Sequence, residues 1–340
     1  MSAPRSPSEG AGDGALSMAR RAVDEEAERL GLVHRAWLDA ADLAPLLAAH
    51  PSESHRRYGL ESAGALMVAA LAYDEGPPPD PAQAPPLATI ARFARANWYA
   101  ELTGRLRAAA LHARTILAEA GLPSGPSSAW RQVANSGLPE RPLALAAGLG
   151  YLGRSGLLLV PGGGPGLVLG LLVLPSLPGE LGGGKESRPG SEAWLPGALC
   201  GSCRACVEAC PSGALSLEGR FERERCIQHW TSRSGDLPPP VEEAWEDQLY
   251  GCDRCVASCP RFAPVSTVRP SLGLLGPGLG AAWVSAAGDE ELRSRLRGSA
   301  LDRRWIEPAA LRRNARLALR PKLPPRLTEG GPNPRVEQEG

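Results

Sequence analysis

The chain has 340 residues, 43% of them apolar and 22% charged, which is enough to bury more than one core. Its 37 basic and 37 acidic residues balance, and 40 glycines with 34 prolines argue against an all-helical bundle. The longest apolar stretch, 156–175, is broken by Pro161-Gly162-Gly163-Gly164-Pro165 and falls short of the roughly 18 uninterrupted residues a membrane-spanning helix needs.

Residues 1–16 are rich in Ser, Gly, Pro and Ala and are expected to be disordered; Arg20-Arg21 leads into Asp24, Glu25 and Glu26, so no export signal is readable and a cytoplasmic location is expected. Residues 17–49 predict two amphipathic helices separated by Gly31, with Ser17 capping the first and Trp37, Leu43, Leu46 and Leu47 on the apolar face of the second. The apolar run 66–73, closed by Asp74-Glu75-Gly76 and three prolines, predicts a buried strand. A helix is predicted over 88–120, with Ile90, Phe93, Leu102, Leu106, Leu111 and Leu117 on one face and Gly121 and Pro123 stopping it.

Pro139 and Glu140 open a short helix over 139–148, which runs into Gly148-Leu149-Gly150-Tyr151-Leu152-Gly153. A dinucleotide-binding glycine loop follows a strand and opens a helix; here the order is reversed, so that reading is rejected. Segments 157–160 and 167–174 predict a pair of strands, and the Gly-rich stretch after residue 180 a linker. Near the end, 289–297 and 301–320 predict two Arg-rich helices. Leu292, Leu296, Leu301, Trp305, Leu311 and Leu317 face inward, leaving a basic surface able to meet phosphates or simply to be solvated.

All eight cysteines fall between positions 200 and 259. The first group, Cys200-x2-Cys203-x2-Cys206-x3-Cys210-Pro211, is the ferredoxin run in which three thiolates hold one 4Fe-4S cluster and the fourth crosses to another. The second, Cys252-x2-Cys255-x3-Cys259-Pro260, has Leu249 at its first position, and Cys226 supplies the missing thiolate. The crossing rule assigns Cys200, Cys203, Cys206 and Cys259 to one cluster and Cys210, Cys226, Cys252 and Cys255 to the other. Zinc ribbons lack the x3-Cys-Pro tail, and disulfides fit poorly with a chain showing no export signal.

Together with Tyr250-Gly251-Cys252-Asp253, Ala91-Arg92-Phe93-Ala94-Arg95, Pro139-Glu140-Arg141, the glycine segment ending in Arg154, and Arg313-Asn314-Ala315, this framework resembles the epoxyqueuosine reductase family. The resemblance implies a cobalamin-binding α/β domain beside a ferredoxin-like domain, and an oxidoreductase that converts epoxyqueuosine to queuosine in tRNA. Low-potential electrons from the clusters would make cobalt a nucleophile able to open an epoxide while an acid protonates the departing oxygen.

The implied partners are the tRNA anticodon stem-loop, held by the basic C-terminal helices, and an electron donor such as a flavodoxin or ferredoxin; no membrane is implied. On this reading the fold class is α+β multidomain. Residues 1–16 are a disordered start, 17–180 the α/β cobalamin-binding catalytic domain, 181–194 a linker and 195–265 the double 4Fe-4S ferredoxin-like domain. A short α-helical basic region at 266–326 and a disordered tail at 327–340 complete it.

Cobalamin contacts are expected from Tyr99, Arg141, Gly150, Gly153 and Arg154. The family's proton-donating Asp, six residues before the Glu of the Glu-Arg pair, is Ala134 in this chain, which leaves Asn135 and Glu140 as the catalytic candidates. The aromatic-His pair of the family is also altered, to Trp98-Tyr99-Ala100. Two other readings fit the same residues: a cobalamin and iron-sulfur reductase of another substrate, as in the related reductive dehalogenases, and a two-cluster electron-transfer adaptor without cobalamin.

Overall fold

A computed structural model of the chain describes residues 14–74, 76, 78, 80, 83, 85–179, 190–262 and 269–321. Most of the disorder expected at 1–16 and 327–340 and of the linker expected over 181–194 lies outside the described residues. Both are corrected where they are described: Ala15 and Leu16 are helical and buried, and Ser191–Trp194 form a short helical turn with Ala193 buried.

The first layer begins with α1 (Ala15–Arg29), and its start corrects the predicted cap. Gly14 is the N-cap, while Ser17 is buried inside the helix, because the Leu16 amide bonds the Pro178 carbonyl at 3.1 Å and docks the helix end. The predicted second helix is divided: β1 (His34–Asp39) carries Trp37, and only α2 (Ala40–Ala49) is helical, capped by Asp39, whose carboxylate accepts the Asp42 amide. A six-residue strand pairing antiparallel with its neighbour wins over the local helical pattern because it completes a sheet edge.

After α3 (Glu53–Arg57) comes β2 (Ala63–Ala72), the predicted buried strand. Residues 87–94 are not α-helical. They form β3 (Leu87–Ile90) and a short turn, and α4 (Trp98–Glu119) starts only after Asn97 caps it through the Ala100 amide. The chain continues through β4 (Arg131–Ala134), α5 (Glu140–Ala146), a hairpin of β5 (Tyr151–Leu152) and β6 (Leu158–Leu159), and β7 (Leu167–Pro175). The predicted pairing of 157–160 with 167–174 is corrected: β6 pairs with β5, and β7 pairs with β2 and β4.

The resulting sheet, β1-β2-β7-β4, is antiparallel throughout. Both faces of β2 are buried, so its sequence reads as one apolar run rather than an alternation. Ala65, Met67, Ala69 and Leu71 pack with α1 and α4, while Leu66, Val68 and Ala70 join Leu143, Leu158 and Leu171 on the other side.

The cysteine region consists of short helices on loops: α6 (Ala205–Glu208), α7 (Ile227–Trp230), α8 (Pro239–Glu243), and α9 (Arg254–Ala257), which follows β8 (Gln248–Tyr250). Beyond it lie β9 (Gly278–Gly280), α10 (Ala281–Ala286), α11 (Asp289–Leu296) and α12 (Pro308–Ala318).

The predicted helix over 301–320 is shortened, since Pro308 opens α12 and Trp305 is exposed rather than inward-facing. A second sheet, β8-β3-β9, joins strands from three distant parts of the chain. Around it Ala88, Ile90, Leu249, Leu279, Leu292 and Leu311 form one core, so the C-terminal helices pack on residues from both preceding regions. Among the described residues no helix is long and apolar enough to cross a membrane.

Candidate functional site

All eight cysteines are free thiols and partly buried. Their electrostatic neighbours fall into two groups. The thiols acting on Cys206 are those of Cys200, Cys259 and Cys203, and those acting on Cys259 are Cys200 and Cys203. Cys252 is influenced by Cys226 and Cys210, and Cys255 by Cys252, Cys226 and Cys210 before Cys206. Sequence-distant cysteines are therefore brought together across the groups: Cys259 joins the first loop, while Cys210 and Cys226 join the second.

The local frame explains the placement. The β8 strand delivers Cys252, whose amide bonds the Gln228 side chain at 3.3 Å, and α9 presents Cys255 beside α6. Burial first, and neighbouring thiols with it, push Cys252 up to about 11 and Cys255 to about 12. Thiolates within electrostatic reach of one another repel, so their deprotonation is coupled to binding of a positively charged centre, and among the described residues no three such side chains converge as they would on a single metal ion. That donor set fits iron-sulfur ligation.

Next to the second group lies a cavity of about 730 Å³, within the ~300–1,000 Å³ range of cofactor pockets. Cys210, Cys226, Cys252 and Cys255 all line it; Cys200, Cys203, Cys206 and Cys259 do not. Its other wall is aromatic and aliphatic, with Tyr73 from the end of β2, Phe93, Tyr99 from α4, Leu145 from α5 and Trp194. The cavity thus lies between the first sheet layer and the cysteine loops.

The five expected cofactor contacts divide. Tyr99 and Arg141 line the cavity, and the Arg141 guanidinium donates to the Gly156 carbonyl. Gly150, Gly153 and Arg154 do not line it. A Cβ on Gly150 would collide with the Leu159 carbonyl oxygen, and one on Gly153 with the Leu159 side chain, so these glycines let the β5–β6 hairpin close. Arg154 turns to the first cysteine loop. Its Nε donates to the Cys203 carbonyl at 3.0 Å and one terminal nitrogen to the Gly201 carbonyl at 2.9 Å, while the other reaches the Leu217 carbonyl.

The two catalytic candidates form one small structure at the end of β4. Asn135 is the one non-glycine residue with positive φ among the described residues, at 51°, a conformation that asparagine tolerates better than most. The turn aims backbone at Glu140, whose carboxylate accepts the Ser136 amide at 3.1 Å, the Ser136 hydroxyl at 3.2 Å and a bond from the Asn135 backbone.

Burial outweighs those bonds and pushes the Glu140 carboxyl up to about 7. The Glu140 charge in turn acts on Tyr99, whose phenol burial holds protonated far above neutral pH. Glu140 does not line the cavity itself, but Arg141, Pro142 and Tyr99 beside it do. Ala134 ends β4 and brings no titratable group.

Sequence reading assigned no role to Tyr73 or Asp253. Tyr73 is 4% exposed at the cavity wall, and one Asp253 carboxylate oxygen accepts the Arg92 amide at 2.7 Å beside Cys252. The Cys-Asp-x-Cys loop was the available signal for Asp253; nothing local marks Tyr73.

The C-terminal arginines are partly committed to the fold. Arg295 pairs with Asp80, Arg312 with Asp289 and Arg320 with Glu242, and Arg313 donates to the Trp230 and Gly235 carbonyls. Arg293, Arg297, Arg304 and Arg316 are exposed.

Comparison with known proteins follows this geometry. Residues 199–261 match the 4Fe-4S double cluster binding domain, so the chain carries a two-cluster domain over the cysteine region. An epoxyqueuosine reductase of Burkholderia pseudomallei (strain K96243) is 33% identical over 183 residues, covering 51% of this chain and 43% of that protein. The chain spans about half the length of the curated relatives it matches.

In fold, it superposes on the structure of an epoxyqueuosine reductase from Streptococcus thermophilus with a TM-score of 0.66 at 20% identity, covering 88% of this chain and 80% of that one. A second solved epoxyqueuosine reductase, with an epoxyqueuosine-modified tRNA stem loop, gives 0.62 at 20% identity with the same coverage. The resemblance read from the cysteine framework is borne out in sequence and in fold: the chain is similar to the epoxyqueuosine reductases.

Proposed function

We propose that this chain is an oxidoreductase of the epoxyqueuosine reductase type, which reduces epoxyqueuosine to queuosine in a tRNA anticodon stem-loop. The observation that carries the reading is the cavity shared between the second cysteine group and Tyr99 and Arg141 of the first layer. Removing the epoxide oxygen as water takes two electrons and two protons, and the two-cluster domain is built to deliver electrons one at a time.

Cys200, Cys203, Cys206 and Cys259 would hold one cluster, and Cys210, Cys226, Cys252 and Cys255 the cavity-facing one. The cavity's aromatic wall and Arg141 in its lining fit one face of the corrin of cobalamin, which when bound would supply a nucleophile for opening the strained ring. The residues of the chain do the rest. Aromatic side chains keep water from the reacting centre, and Glu140, raised to about 7, is partly protonated at neutral pH and serves as the proton source near Tyr99. Asn135 holds the turn that orients this carboxyl.

The solved relative with a modified tRNA stem loop supports a tRNA substrate, and the exposed Arg293, Arg297, Arg304 and Arg316 would neutralise its phosphates. The electron donor would be a small carrier such as a flavodoxin or ferredoxin, and the enzyme cytoplasmic.

The test is anaerobic reconstitution with iron, sulfide and cobalamin, incubation with tRNA carrying epoxyqueuosine, and mass analysis of the nucleoside. Loss of one oxygen is expected. No conversion with cobalamin bound and both clusters reduced overturns the substrate and favours the second reading, a reductase of another substrate, to which the absence of a carboxyl at Ala134 points. No cobalamin binding at all leaves the electron-transfer adaptor.

A further inference from the structure

The two cysteine groups differ in the charges around them. In the first, the Arg154 backbone amide donates to the Cys200 sulfur at 3.4 Å, and its guanidinium holds three loop carbonyls, those of Gly201, Cys203 and Leu217. Those acceptors are neutral, so the cation keeps its charge. The exposed Glu218 feels Arg154 but also pairs with Arg220 at 3.9 Å. A second cation, Arg261, acts directly on Cys259 while stacking over Tyr151.

In the second group the sulfur of Cys210 also accepts a backbone amide, from Ala214 at 3.2 Å. Backbone donors reach Cys226 and Cys252 as they reach Cys206 and Cys259 in the first, so both groups carry sulfur-directed amides. The charges are not matched. Asp253 acts on Cys252 as an anion, with the Arg92 charge also present at Tyr73. Arg254 is ion-paired with Glu246, and Arg225, exposed like Arg261, keeps its charge on the neutral Ser212 carbonyl. The difference between the groups therefore lies in the anion Asp253 and the part-buried cation Arg154.

A cation near a cluster stabilises its reduced, more negative form and raises its potential; an anion lowers it. We propose that this charge asymmetry splits the two reduction potentials, with the cluster of the first group higher, the cavity-facing cluster lower, and Arg154 the residue that sets the gap. The inference rests on the two-cluster ligand sets given above. Arg154 acts through the cluster and not on the substrate, so it is a positioning residue. It also explains why an arginine on the β5–β6 turn of the first layer reaches across to the cysteine loop. The lower-potential centre then stands where the strongest reductant is needed, at the cavity, and the higher one serves as the point where electrons collect.

The experiment is a redox titration of the reconstituted full-length protein followed by electron paramagnetic resonance, with iron counted per chain. Two separated one-electron steps are expected. Cys226→Ser, which removes a ligand of the cavity-facing cluster, should abolish the lower step and so assign the other to the first group.

Arg154→Gln should move only the upper step, toward more negative potential, by a tenfold change in its one-electron equilibrium, or about 59 mV. Arg154→Lys, which keeps the charge and the backbone amide, should move it less, and Asp253→Asn should raise only the lower step. A purely structural role for Arg154 would reduce iron content without shifting the remaining step. That result, a single coincident step, or an Arg154→Gln shift in the lower step overturns the inference. An iron count short of two clusters in the unaltered protein overturns the ligand reading beneath it and the inference together.

Discussion

The two sheets of this molecule are built on opposite plans. The four-stranded sheet draws its strands from residues 34–175, and each strand finds a partner within one continuous part of the chain. The three-stranded sheet joins Leu87–Ile90, Gln248–Tyr250 and Gly278–Gly280, with the cysteine loops strung between two of its members. The first can form on its own contacts. The second closes loops of well over a hundred residues, an entropy cost that must be offset by what it encloses. The difference teaches that the cavity has one self-supporting wall and one wall whose order is linked to the clusters.

Removing the iron is the strongest way to break that comparison. Anything bound only by the folded state stabilises it by mass action. Chelating the iron should therefore speed hydrogen exchange in β3, β8 and β9 by about a hundredfold or more, a change equivalent to losing about 2.7 kcal/mol. Amides of β2 and β7 should keep their protection. Equal acceleration in both sheets would show that the molecule unfolds as one unit.

Core truncations come next. Leu249 on β8 and Leu171 on β7 are both fully buried, and each change to Ala should cost about 2–5 kcal/mol in denaturant unfolding. Only Leu249→Ala should also lower the iron retained per chain, because the same strand leads directly into Cys252. Equal iron loss in the two variants would mean that general instability, not the strand, releases the cluster.

How much of this was readable beforehand follows the same division. The buried strand at 66–73 and the cysteine framework are written in contiguous residues, and both emerged from spacing alone. Strand β3 did not, since Leu87-Ala88-Thr89-Ile90 is chosen by pairing with residues some 160 and 190 positions away, which no local window contains. Trp37 misled for a related reason: its run fits a helix, but the edge of β2 needed a partner.

At the site, Cys226 was found by counting thiolates, whereas the fates of Gly150, Gly153 and Arg154 depended on the hairpin packing that decides which way each one points. Glu140 was legible as a carboxyl near the family motif. Its raised proton affinity was not, because that comes from burial in the folded chain, which outweighs the opposing bonds from Asn135 and Ser136.

A smaller effect should come from Asn314, which ties α12 to the second sheet. It is fully buried, and its amide donates to the carbonyls of Thr231 and Leu249, each at 2.8 Å. Asn314→Ala leaves both carbonyls without this donor and should cost about 1–3 kcal/mol. Exchange should rise in β8 and α12 while the first sheet is unchanged. Spread of the effect into β7 would erase the distinction between the two regions.

The last prediction concerns the self-supporting wall, where a change should alter chemistry with the least cost to stability. Folding raises the Glu140 carboxyl from its ordinary 4.5 to about 7, so the folded state binds this proton more tightly than the unfolded chain does. Stability from this group is therefore highest below pH 4.5 and is lost as pH rises through about 7. Glu140→Gln should flatten that dependence and leave iron content unchanged.

The proposed role of Glu140 as proton donor has the same sign: turnover that uses the acid form should fall as pH rises through about 7, and the Gln variant should lose that limb along with about 10²–10⁴ in rate. A Gln variant that keeps full rate but loses stability would reduce Glu140 to the residue that closes the 135–138 turn through Ser136, and would leave Tyr99 as the nearest protonated group at the cavity.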